Sequence, residues 1–137
     1  MDSGPLAEIK PSLKLELQEL LLVGLGAVPG ALLRWQVALQ FGDQNLLVNV
    51  FGAALLGLLA GLPAAPRRQL LLGIGFCGSV TTFSSWMLAA MKHLSSGDWA
   101  AALGLIGLTL GLGVGAAALG FSLGRRLKPP APPQSPT

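Results

Sequence analysis

Within the stretch GFCGSVTTFSSW, five hydroxyl side chains fall in seven positions: Ser79, Thr81, Thr82, Ser84 and Ser85. No base accompanies them, so nucleophilic catalysis has no activated group to begin from. The stretch also holds Phe83 and Trp86, and a separate apolar run, LLVNVFG, carries Asn49. An amide offers two donors and two acceptors, a hydroxyl one donor, and an indole one N–H. Aromatic ring edges carry partial positive charge. Fixed donors and ring edges without an acid suit a small anion better than a cation, because they can replace its water shell as carbonyls do for cations.

Such groups need elements to hold them, and here those elements are apolar. The chain has 137 residues, of which 52% are hydrophobic and 11% charged. A soluble domain carries about 25% charged residues and cannot bury this much apolar surface at this size. Four apolar runs, residues 19–39, 45–62, 69–91 and 99–123, approach the roughly 20 residues that an α-helix needs to cross a bilayer. The reading is an all-α integral membrane protein of four transmembrane helices, with residues 1–18 as a tail, 19–127 as the membrane domain and 128–137 as a disordered proline-rich tail.

Glycine repeats at four-residue spacing in Gly26 and Gly30, Gly57 and Gly61, and Gly107, Gly111 and Gly115. In membranes such small residues let helix backbones approach closely, so tight packing is expected, above all on the last helix. Gly73, Gly75 and Gly78 spell G-x-G-x-x-G, but a dinucleotide site needs a strand before it and a helix after it. The match is taken as accidental.

A single membrane hydroxyl ordinarily bonds back to a carbonyl one turn earlier or across to a neighbouring helix. Five together, beside Gly75 and Gly78 and with β-branched Val80, Thr81 and Thr82, predict instead a third helix that breaks near mid-membrane. Backbone groups freed by a break must be satisfied by protein, water or an ion. Asn49 is either a packing residue or a functional one. Arg34, which precedes Gln36 and Gln40, either snorkels to the interface or lines an aqueous vestibule. Thr109, the only hydroxyl in the middle of the fourth helix, is expected to bond back to a carbonyl.

Charge gathers at the ends of the runs. Lys10, Lys14, Arg67, Arg68, Arg125, Arg126 and Lys128 share one side; Lys92, His93, Asp43 and Asp98 share the other. The net charge of +3 therefore reads as topology and not as a nucleic-acid face, and the positive-inside rule makes the termini cytoplasmic. The N-terminal residues have no signal-peptide pattern, although residues 8–20 resemble an amphipathic surface segment interrupted by Pro11. Cys77, the only cysteine, has no intrachain partner.

GFCGSVTTFSSW resembles the glycine-rich TTFS signature of the Fluc/CrcB fluoride channels. LLVNVFGAALLG resembles their second-helix asparagine motif, and GAVPGALLRW their first-helix glycine-to-arginine motif. The motifs occur in family order, so the resemblance covers about residues 20–127. It implies a dual-topology antiparallel dimer of four-helix subunits with two fluoride pathways along the subunit interface, and a central sodium ion that is structural and not transported. Carried over by motif, the carbonyls of Gly78 and Thr81 would hold that sodium. Asn49, Phe83, Ser84 and Trp86 would line the fluoride path, with Thr82, Ser85 and Thr109 as further polar groups, and Arg34 would lie near a vestibule. Trp86 stands where the family usually has its second phenylalanine, and Asn45 where a threonine often precedes the asparagine motif. Thr109 is what remains of a tyrosine-and-serine track, with Leu105 and Gly113 on either side.

The expected function is passive export of fluoride across the inner cell membrane, which lowers its cytoplasmic concentration and toxicity. The marked charge asymmetry leaves two assemblies open: an antiparallel homodimer, or a heterodimer with an oppositely biased paralogue. A small multidrug-type exporter needs a membrane-embedded glutamate in its first helix, and this span has only Glu19 at its edge. A non-conducting assembly subunit has no need of a broken polar helix.

Overall fold

The computed structural model describes residues 12–41 and 45–127, and all regular structure among them is helical. The expectations for residues 1–11, Asp43 and the proline-rich tail at 128–137 lie outside the described residues. Helix α1 (Leu13–Phe41) begins inside the stretch that the sequence assigned to a tail. Its 29 residues extend about 44 Å at 1.5 Å per residue, against roughly 30 Å of hydrocarbon. Its ends therefore reach the headgroup layers. Helix α2 (Asn45–Gly61) is shorter at 17 residues, or about 25 Å.

The third span, Pro66–Ser95, is a chain of pieces. Helix α3 (Pro66–Arg68) opens with proline at its first position, where the missing N–H costs nothing. It runs into a π-helical segment, Gln69–Cys77, which the sequence did not announce. Helix α4 (Gly78–Val80) follows and ends at Thr81, whose φ of −79° and ψ of 155° are extended. Helix α5 (Ser84–Ser95) resumes after Phe83. The break predicted from the hydroxyl cluster is therefore present at residues 81–83. Gly97, at φ 79°, makes the turn into α6 (Trp99–Arg126). Asp98 caps α6 by accepting from the Ala101 N–H at 3.0 Å, and Arg125 and Arg126 in its last turn complement the helix dipole.

Packing depends on glycines that admit a neighbouring backbone. Helix α2 lies along α6 and α1 along the π-helical segment. A Cβ on Gly57 would overlap the carbonyl of Ala117, and one on Gly120 the carbonyl of Ala54. Gly26 and Gly75 hold α1 against the π segment in the same way. The last-helix expectation is corrected: Gly107, Gly111 and Gly115 meet nothing within 4 Å among the described residues, and the close contacts fall on Gly120 and Gly124. Spacing alone does not say which glycine pair faces a helix of the same chain.

The outside of the bundle is apolar. The α6 span has a mean hydropathy of 2.0, yet only 6% of it is buried. Leucines such as Leu103, Leu108, Leu110 and Leu119 point outward. Among the described residues three helices are long and apolar enough to cross a membrane, with α2 as a shorter apolar companion.

Candidate anion site at the helix break

Breaking a helix strands its last carbonyls and the first N–H groups of the next piece. Asn49 on α2 meets this need at Thr82. Its Nδ2 donates to the Thr82 carbonyl at 2.9 Å, and its Oδ1 accepts from the Thr82 N–H at 2.7 Å. Close approach is possible because residue 52, one turn along α2, is glycine: a Cβ there would overlap the Thr81 methyl.

The hydroxyls divide between ordinary and special roles. Ser79 donates back to the Gly75 carbonyl at 2.6 Å and Thr81 to the Cys77 carbonyl at 2.9 Å, the common membrane arrangement. Thr82 turns forward: its Oγ1 donates to Ser85 Oγ at 3.2 Å and lies 3.5 Å from the Ser85 N–H, a long cap on α5. Ser84 is exposed at the start of α5.

A cavity of about 340 Å³ opens at the break. Asn49, Thr82, Phe83, Trp86 and Thr109 line it together with Thr81, so α2, the broken third span and α6 meet there. Trp86 is buried, and its ring centroid is 5.3 Å from that of Phe83 with a 52° tilt. Trp86 Nε1 and Thr109 Oγ1 are buried without any hydrogen-bond partner. Thr109 thus does not make the back-bond expected of it. Buried polar groups are nearly always paired, so these two donors are left for a partner from outside the described residues. Both residues line one cavity that has no carboxylate among its described lining; the two donor atoms lie behind its wall, one side-chain turn from a small anion that they could solvate.

Other expected residues stand apart. Arg34 is exposed on α1, and Ser84, Ser85 and Gly78 do not line the cavity. Phe83 is 70% exposed, so much of its ring faces away from its own chain. Sequence reasoning missed Gly52 and Cys77 as lining residues; the helical register of Gly52 with Asn49 was the available signal.

A cation would need different ligands. Among the described residues no three His, Cys, Asp or Glu side chains cluster. At the break, Thr82 N–H is taken by Asn49, so Gly78 lacks its usual helical donor, and the Ser85 N–H faces Thr82 Oγ1 and not the Thr81 carbonyl. Oxygens freed in this way fit a hard cation such as sodium better than a thiolate-seeking metal.

An apolar-surfaced helical bundle with a broken span, and at the break a largely apolar cavity that carries a few polar side chains, has the architecture of a small membrane transport protein. The chain belongs to the family described as CrcB-like protein, Camphor Resistance (CrcB), whose family model matches residues 21–121. It is 88% identical over 130 residues to "Fluoride-specific ion channel FluC 2" of Synechococcus sp. (strain CC9605), covering 95% of this chain and 98% of that one. A protein of the same name in Parasynechococcus marenigrum (strain WH8102) is 79% identical with the same coverage. That organism also has a "Fluoride-specific ion channel FluC 1", 39% identical over 117 residues, 77% of this chain and 93% of that one. These relatives are named as channels and not as enzymes.

Proposed function

We propose that this protein is a fluoride-specific channel that passively lowers cytoplasmic fluoride. The observation that carries the reading is that Trp86 and Thr109, whose buried Nε1 and Oγ1 have no partner among the described residues, line one cavity with no acid in its described lining. Fluoride is small and strongly hydrated, so its passage needs fixed donors in place of water. The names of the FluC relatives point to the same ion.

The path runs past Asn49, Thr82, Phe83 and Trp86 to Thr109, with Ser84 and Ser85 extending it at the start of α5 and Arg34 near a vestibule. All four helical spans cross the inner cell membrane, and the termini are cytoplasmic. The subunits pair antiparallel, which places the outward-facing Phe83 and the open glycine face of α6 against a partner. A structural sodium ion sits on the carbonyls of Gly78 and Thr81 and is not transported. The partner is a second copy or a paralogue, and the coexistence of FluC 1 and FluC 2 in one related organism supports the latter.

Complementation tests this reading. Cells lacking their own fluoride exporter, grown in acidic medium with fluoride, should recover growth when they express this chain, alone or with its paralogue. Expression at the membrane without recovery in either arrangement would refute it.

A further inference from the structure

A second groove, of about 300 Å³, lies away from the helix break between α1 and the start of the third span. Gln18 and Arg67 supply its polar groups, and Leu21, Leu22 and Leu25 its apolar ones. Among the described residues no acidic side chain lines it. On α1, Gln18 and Leu25 follow Lys14 by four and eleven residues, which puts all three within about 40° of one another at 3.6 residues per turn. Glu16 and Glu19 fall about 200° and 140° round from Lys14, on the other side of the helix. This face therefore carries one cation, Lys14, a turn beyond the groove's lining, and Arg67 supplies the cation that lines it, while the acids of the same helix turn away.

Depth in the membrane fits an amphiphile. Because α1 exceeds the hydrocarbon thickness, its first turns, with Lys14 and Gln18, stand in the headgroup layer, and Leu25 lies about 10 Å further in. Neighbouring Arg68 does not line the groove, and its Nη2 donates to the Pro63 carbonyl. Arg67 is thus the arginine available to the groove. A second copy packed there in parallel would set Arg67 against Arg67.

We infer that this groove binds an anionic phospholipid of the bilayer, its phosphate on Arg67 and Gln18 with support from Lys14, and an acyl chain along Leu21, Leu22 and Leu25. Basic pockets between membrane helices favour anionic headgroups by an amount that corresponds to about fivefold in affinity per cation. The inference is independent of which ion the channel carries.

The test uses the delipidated, purified full chain, with native mass spectrometry counting retained lipid after addition of phosphatidylglycerol or zwitterionic phosphatidylcholine. The wild type should retain one phosphatidylglycerol per chain in preference to phosphatidylcholine. Arg67→Gln should weaken this about fivefold, Lys14→Gln with Arg67→Gln further, and Arg126→Gln, at the same end of the bundle, should leave it unchanged. A second readout is thermal stability, which phosphatidylglycerol should raise in the wild type and Arg126→Gln but less in Arg67→Gln. Equal retention by wild type and Arg67→Gln, or no preference for the anionic lipid in the wild type, would overturn the inference.

Discussion

The Asn49 side chain and the Thr82 backbone form a two-bond bracket across 33 residues, with Nδ2 donating to the Thr82 carbonyl and Oδ1 accepting from its N–H. One amide thus replaces both helical bonds that a break at Thr82 forfeits. An asparagine inside an apolar helix is costly unless satisfied, and the broken span supplies the satisfaction. The polar residue and the irregular backbone are each tolerable because of the other.

Asn49→Ala should therefore destabilise the fold by roughly 1–3 kcal/mol for each buried group left unpaired. Asn49→Asp keeps the acceptor and loses the donor, and it also brings a negative charge to the cavity. Thermal unfolding should rank wild type above both variants, and Asn49→Asp should block anion flux even where folding survives.

Thr109→Val should behave in the opposite way. The Thr109 hydroxyl is buried without a partner, so its removal breaks no hydrogen bond inside the chain and should leave stability unchanged or slightly raised. Fluoride flux should fall several-fold. A fall in stability matching the fall in flux would assign Thr109 a packing role.

Trp86→Phe tests the indole N–H while keeping an aromatic edge beside Phe83. Flux should persist, because the ring edge remains, but its ratio to chloride flux should shift. An unchanged ratio would show that the orphan N–H takes no part in selection.

Glycine substitutions should separate contacts within the chain from surfaces left open. Gly57→Ala or Gly120→Ala would force α2 and α6 apart and cost about 1–3 kcal/mol. Gly107→Ala and Gly111→Ala meet nothing among the described residues of the same subunit. Their effect should appear in subunit association, measured by light scattering, and not in the packing of the single chain.

How much of this was legible in the sequence varied with the kind of information needed. The break was readable because five hydroxyls beside glycines and β-branched residues contradict a regular apolar helix. Apolar runs located the helices, and four-residue glycine spacing located the close approach at Gly26, Gly30, Gly57 and Gly61. The same spacing misled on α6, where Gly111 and Gly115 look like Gly120 and Gly124 although only the latter pair meets α2. The π-helical turns at Gln69–Cys77 leave no composition mark, because hydrogen-bond register depends on what packs alongside. That Thr109 lacks a carbonyl partner was equally invisible, since the choice between bonding back and facing a cavity is made by the neighbouring helix.

The most direct test of the central claim is ion efflux from liposomes containing the purified protein, alone and with its paralogue, loaded with fluoride or chloride. The account predicts rapid fluoride efflux with little chloride efflux, at a rate that varies little between pH 6 and 8 at fixed fluoride, because no carboxylate, imidazole or amine is among the described residues that line the cavity. Absence of fluoride efflux from folded protein in both arrangements, or equal passage of chloride, would contradict it.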